Sequence, residues 1–130
     1  TLIRMYNILL KDDYAIYRKG INEILRSRFP YSGITEVDSA VQLADKAREQ
    51  NWDIIIFDIA DASGKNFQLL STLKQVCPQS RLVITTTGEN PLLKNALTAA
   101  GASACIAKDC SIEDFIKAID KATENKQAFV

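Results

Sequence analysis

The chain has 130 residues, 16 basic and 16 acidic, for a formal net charge of zero, and 47% of its residues are hydrophobic. That is the size and composition of one globular domain with a substantial core, and the balanced charge argues against a nucleic-acid-binding module, which shows a basic patch or stripe. Histidine is absent, which excludes Ser-His-Asp triads, Cys-His pairs and His-ligated catalytic metals.

No apolar run approaches the roughly 18 residues of a membrane span, and the first residues lack the pattern of a secretory signal. A cytoplasmic location with no membrane partner is expected. Cys77, Cys105 and Cys110 are odd in number and lack CxxC spacing, which disfavours zinc and disulfides. Core packing is expected for Cys105 and incidental placement for the other two.

Five apolar runs alternate with five helical patterns. The first predicted strand is Met5–Leu10. A helix follows with Tyr17, Ile21, Ile24 and Leu25 on one face, an amphipathic spacing. Ile34–Val37 is the second strand. The second helix opens at Ser39 with Gln42 three residues on, a capping-box pattern. Asp53–Phe57 is the third strand and Asn66–Val76 the third helix, which stops before Pro78. Arg81–Thr86 is the fourth strand. The fourth helix has Asn90 as cap, Pro91 at its first position and Gly101 as its stop, with Leu93, Ala96, Leu97 and Ala100 inward. Ser103–Ala107 is the fifth strand. A second capping box, Ser111 with Asp114, starts a last helix with Ile112, Phe115, Ile116 and Ile119 inward.

Strands one, three and four read as near-continuous apolar runs, the pattern of strands buried on both faces of a parallel sheet. Strict alternation with helices implies a three-layer α/β sandwich with right-handed crossovers. In such a sheet ligands bind beyond the carboxyl ends of the strands. The residues there are Lys11-Asp12-Asp13, Asp58, Thr86-Thr87 and Lys108.

Each has an ordinary reading alone. An aspartate caps a helix well, threonine suits a strand and lysine is usually solvated. Together they form a pocket of three carboxylates, a hydroxyl and an ammonium. Carboxylates brought together repel unless a cation intervenes, and an all-oxygen site favours a hard ion such as Mg²⁺. With charge neutralised, one carboxylate can attack phosphorus. Lys108 would add a second positive charge and Thr86 a hydrogen bond to phosphate.

The set Asp12-Asp13, Asp58, Thr86 and Lys108 resembles the receiver domain of two-component response regulators, the CheY-like fold, from about Met5 to Thr123. Gly101-Ala102, Lys108-Asp109 and the Phe129 tail resemble the NarL/FixJ (LuxR-type) group within it. The resemblance implies a flavodoxin-like (βα)5 fold with a five-stranded parallel sheet in the order 2-1-3-4-5. It implies that Asp58 accepts a phosphoryl group from a sensor histidine kinase, and that Asp13 and Asp58 ligate Mg²⁺ with the backbone carbonyl of Ala60, Asp12 acting through water. Thr86 and Lys108 would sense the phosphate. Such a chain is a signalling receiver rather than an enzyme, promoting its own phosphorylation and dephosphorylation. It also implies homodimerisation on phosphorylation, and contact with DNA only through a helix-turn-helix domain outside this chain. Residues 1–4 are expected to be a leader or remnant, 5–126 the receiver and 127–130 the start of a linker.

Four departures from the family pattern stand out. Asp61-Ala62-Ser63 replaces Met-Pro-Gly after the acceptor. Cys105 replaces the aromatic switch residue three positions before the lysine. Lys11 replaces an apolar residue before the acidic pair and is expected to point to solvent, the other outcome being a lowered metal affinity. Ala60 and Gly88, at positions that tune phosphate lifetime in the family, carry no polar side chain to guide water, so self-dephosphorylation is expected to be slow.

Two rival functions fare poorly. A flavin or nucleotide module needs a Gly/Ser/Thr-rich loop after strand one, where this chain has carboxylates. An aspartate-nucleophile phosphatase needs two acids spaced by one residue, and these are adjacent. The serious alternative is a stand-alone or phosphorylation-independent receiver acting as a protein-interaction module.

Overall fold

A computed structural model describes residues 5–61 and 63–127, with side chains described through Glu124. The expected leader at 1–4 and the Phe129 tail lie outside the described residues.

The strands are β1 (Asn7–Lys11), β2 (Gly33–Val37), β3 (Ile54–Ile59), β4 (Arg81–Thr86) and β5 (Ala104–Ala107). The helices are α1 (Ala15–Arg28), α2 (Ala40–Ala47), α3 (Gly64–Val76), α4 (Pro91–Ala99) and α5 (Ile112–Gln127). All strand pairings are parallel, in the order β2-β1-β3-β4-β5. The parallel sheet is the one expected from the alternation, and its flavodoxin-like order is the one the resemblance implied.

Strand periodicity divides the core in two. Leu9, Ile55, Phe57, Leu82 and Ile84 pack under α2, α3 and α4 with Leu43, Leu70, Leu73 and Leu97. Ile8, Leu10, Ile54, Ile56 and Val83 pack under α1 and α5 with Ile21, Leu25, Phe115 and Ile119. Ile54, Ile55, Ile56 and Phe57 are all fully buried, which is why β3 reads as an unbroken apolar run rather than an alternating one.

The helix starts follow their caps. Ser39 Oγ accepts from Gln42 N, while the Gln42 side chain accepts from Asp38 N. Asn90 Oδ1 accepts from Leu93 N and Ser111 Oγ from Asp114 N. Gly101 ends the fourth helical segment at φ +114°, a value glycine adopts without a Cβ penalty.

The inward faces are narrower than expected. Only Leu93 and Leu97 of α4 are buried, and Ala96 and Ala100 face outward. Ile112, in the first turn of α5, is 63% exposed. Cys105 packs against the core as expected but is only half-buried, whereas Cys77, expected to be incidental, is the buried cysteine. Cys77 closes α3 over the interior, with its Sγ 3.2 Å from the Ala47 carbonyl.

Candidate phosphoacceptor site

The carboxyl ends of β1, β3, β4 and β5 bring the predicted residues to one rim. Asp58 lies within β3 rather than after it, in register with Thr85 of β4. Its side chain is 11% exposed. Asp12 directly follows β1 and is fully buried, whereas the Asp13 side chain is 61% exposed.

Two ammonium groups hold these acids. Lys11 Nζ lies 2.8 Å from Asp58 Oδ1 and 3.0 Å from Asp13 Oδ1. Lys108 Nζ lies 2.8 Å from Asp12 Oδ2 and 3.8 Å from Asp58 Oδ2. The Lys108–Asp12 contact is an ion pair without hydrogen-bond alignment, since Asp12 Oδ2 has no hydrogen-bond partner. The other oxygen, Oδ1, accepts from Tyr14 N at 2.8 Å. That bond bridges two residues, an Asx turn at the start of α1, so Asp12 shapes the turn but is not the helix cap. The cap position is Tyr14, which makes no side-chain cap bond.

Lys11 therefore does not point to solvent as expected. It is 7% exposed. Burial, the largest single influence, would lower its pKa, but hydrogen bonds to Asp58 and Asp13 and their charges outweigh it. The ammonium is held above its ordinary value of 10.5.

Lys108 is steered from the other side by aromatic faces, with its Nζ 4.8 Å from the Tyr17 ring centroid and 5.2 Å from that of Tyr14. Burial pushes the Tyr17 phenol up to about 12, with the charges of Cys110, Asp12 and Asp109 adding to it. The ring stays neutral beside the ammonium at ordinary pH. Thr86 is buried at the end of β4, its hydroxyl donating to the Gly88 carbonyl at 3.1 Å. Its own carbonyl accepts from Lys108 N at 2.7 Å, so Thr86 and Lys108 are joined through the backbone.

The loop after β3 takes its own form. Asp61 Oδ1 accepts from Ser63 N at 2.9 Å and from Asn66 Nδ2 at 3.0 Å, closing the turn into α3. Beside Cys105, a surface groove of about 450 Å³ runs between α4, β5 and α5, lined by Thr86, Asn90, Pro91, Cys110 and Asp114.

The donor chemistry fits a hard divalent cation. Asp13 and Asp58 present oxygens to one shared positive charge, and the Lys11 ammonium is the stand-in ion between them. Even so, among the described residues no group of three or more His, Cys, Asp or Glu is gathered tightly enough to hold a metal as the side chains lie. An ammonium contact is longer than the roughly 2.1 Å of a Mg–O bond, so the acids stand further apart around Lys11 than around a metal.

The model of the response regulator receiver domain matches residues 8–120. The chain belongs to this family. The receiver is 28% identical over 116 residues to the transcriptional regulatory protein LnrK of Bacillus subtilis (strain 168), covering 88% of this chain and 52% of LnrK. It is 26% identical over 117 residues to the chemotaxis protein CheY of the same organism, covering 89% of this chain and 96% of CheY. The receiver thus spans about half the length of LnrK and nearly all of CheY. The solved signal receiver domain of NarL from Mycobacterium tuberculosis superimposes with a TM-score of 0.76 at 17% identity, covering 92% of this chain and 98% of that one. Receiver domains are signalling proteins of two-component systems. They interact with sensor histidine kinases and generally bind Mg²⁺ at the phosphorylation site. Among the described residues, no helix of this receiver is long and apolar enough to cross a membrane.

Sequence reasoning named every acid of the rim together with Thr86 and Lys108. It placed Lys11 at the rim but expected it to point to solvent rather than to Asp58 and Asp13, and it missed the cradle formed by Tyr14 and Tyr17. The available signal for Lys11 was a charge directly continuing the buried run Ile8-Leu9-Leu10. A lysine there either leaves the sheet or finds counter-ions.

Proposed function

We propose that this receiver is a phosphorylation switch in which Asp58 is the phosphoacceptor. The observation that carries this reading is the environment of Asp58. It is the one acid at the rim with ammonium groups on both oxygens, and Oδ2 has the looser contact, 3.8 Å from Lys108. That oxygen keeps lone pairs free for attack. It forms the bond to phosphorus as the P–N bond to the kinase histidine breaks. The imidazole leaves with the bonding pair and takes a proton from solvent. Lys108 stabilises charge on the transferred group.

Asp13 and Asp58 would hold Mg²⁺ directly, with the Ala60 carbonyl, and Asp12 through water. When bound, the ion supplies neutralisation of the phosphoryl oxygens. A phosphate on Asp58 adds up to two negative charges and draws Lys108 away from Asp12. It also gives the Thr86 hydroxyl a stronger acceptor than the Gly88 carbonyl. Because Lys108 N is bonded to Thr86 O, the ends of β4 and β5 shift together, beside the groove at Cys105. A cysteine cannot swing into that groove as an aromatic side chain does, so the signal passes through backbone displacement of this joined pair.

The kinase contact falls on the apolar rim by Lys108, where Ile16 is 91% and Ile112 63% exposed. The output follows the NarL-like resemblance and the relation to LnrK: a homodimer on phosphorylation, with DNA bound by a domain outside this chain. The receiver occupies 5–126 and works in the cytoplasm.

The test is labelling by acetyl phosphate with Mg²⁺. Wild type is expected to gain one phosphoryl group and Asp58→Ala none. A second reading, the phosphorylation-independent interaction module, is favoured by the Lys11–Asp58 pair, which neutralises the acceptor without metal. An unlabelled wild type that still folds and binds its partner would select it.

A further inference from the structure

Lys11 closes β1 at a point where a side chain must either leave the sheet or find counter-ions, and its single ammonium bridges Asp13 and Asp58. These are the two residues assigned above to direct ligation of the metal. The volume between their oxygens therefore already contains one cation. Lysine needs contacts near 3 Å, whereas Mg²⁺ needs oxygens at about 2.1 Å in octahedral geometry and retains waters. The two cannot share the gap.

Charge points the same way. Three carboxylates set against Lys11 and Lys108 leave the rim one negative charge from neutrality. A divalent ion added with both ammonium groups in place would make it positive and would face Lys11 directly.

We propose that Lys11 is a tethered competitor for the divalent cation, holding Asp13 and Asp58 in the metal-free protein and swinging out when Mg²⁺ enters. This deepens, and rests on, the reading of Asp13 and Asp58 as the metal ligands. The side chain has a route outward, because the Asp13 end of the bridge is open to solvent while the Asp58 end is nearly closed. Two properties follow. Metal affinity is lower than the carboxylates alone would give, and loading the metal frees an ammonium at the rim where the kinase is proposed to dock.

The experiment is a Mg²⁺ titration of wild type and Lys11→Met, followed through the backbone amide signals of Asp13 and Asp58. Lys11→Met is expected to bind Mg²⁺ about tenfold more tightly or better, the scale of one lost charge-assisted hydrogen bond. Equal or weaker affinity in Lys11→Met overturns the competition and leaves the metal-site reading standing. No response in either protein overturns both.

A second measurement uses wild type alone and does not depend on the variant folding. Acetic anhydride labelling of lysines, mapped by mass spectrometry, is expected to find Lys11 protected without metal and modified faster at saturating Mg²⁺. An unchanged Lys11 rate, under conditions where the Asp13 and Asp58 signals do shift, overturns the displacement.

Discussion

Lys11 is bonded to Asp58 across 2.8 Å, although the two are not ladder partners: in the pairing of β1 with β3, Lys11 stands opposite Phe57. The contact runs diagonally over the carboxyl ends of the strands, where the sheet stops and long side chains can turn over its edge. Asp58, the proposed phosphoacceptor, is thereby held by a cation encoded 47 residues earlier in the chain.

That pair should be measurable as a coupling. In metal-free buffer, Lys11→Met is expected to lower stability by about 1.5–3 kcal/mol, the range for hydrogen bonds to charged groups. Asp58→Asn should make the loss of Lys11 cheaper, with an interaction energy of about 1 kcal/mol or more in a double-mutant cycle. Urea unfolding of the four proteins checks it. Additive effects would mean that the two side chains do not act together.

Lys108 is expected to matter more to stability than Lys11. Its partner Asp12 is fully buried, whereas one of the two acids on Lys11 is open to water. Lys108→Met leaves a buried carboxylate without its counter-ion, a change that typically costs about 3–5 kcal/mol. The urea midpoint should fall further for Lys108→Met than for Lys11→Met. The reverse order would contradict the assignment of Lys108 as the counter-ion of Asp12.

Phosphorylated protein should lose its label slowly. Ala60 follows β3 and Gly88 follows β4 at φ +71°, and neither has a side chain that could hold an attacking water beside Asp58. Decay of protein labelled with acetyl phosphate, followed after the donor is removed, is the measurement. Loss within seconds would refute the expectation.

Acid should act through Glu36. Its carboxylate receives Arg18 Nε at 2.9 Å, Lys19 Nζ at 3.2 Å and Asn22 Nδ2 at 2.8 Å, tying α1 to β2. Burial, the largest influence, works to raise its pKa, but the bonds from Lys19, Arg18 and Asn22 outweigh it and leave the pKa below the ordinary 4.5. A lowered folded-state value means that the stabilisation is present above the unfolded pKa and disappears as pH falls through the folded one. The stability gap between wild type and Glu36→Gln should therefore be constant near neutrality and narrow as pH falls below the ordinary carboxylate value. Urea midpoints across an acid series test it, and a gap that widens there would reverse the sign.

The layered fold was legible because local signals agreed with one another. Ile54-Ile55-Ile56-Phe57 could only be a strand covered on both sides, and Ser39, Asn90 and Ser111 each cap the helix they precede. Helix faces were legible in direction but not in width. Ala96 and Ile112 fit the apolar stripe, yet both are exposed in the folded chain.

By itself, the sequence determined which chemical groups stand at the strand ends, since alternation of strand and helix dictates a parallel sheet and a parallel sheet delivers Asp12, Asp13, Asp58, Thr86 and Lys108 to one rim. Only the tertiary structure decided which cation each acid keeps. Lys11 reads as an ordinary surface lysine until β3 is laid beside β1, because a buried ammonium is tolerable only where carboxylates from elsewhere in the chain meet it. Those partners are set by the turning of side chains over the sheet edge, a long-range geometry that no local pattern encodes.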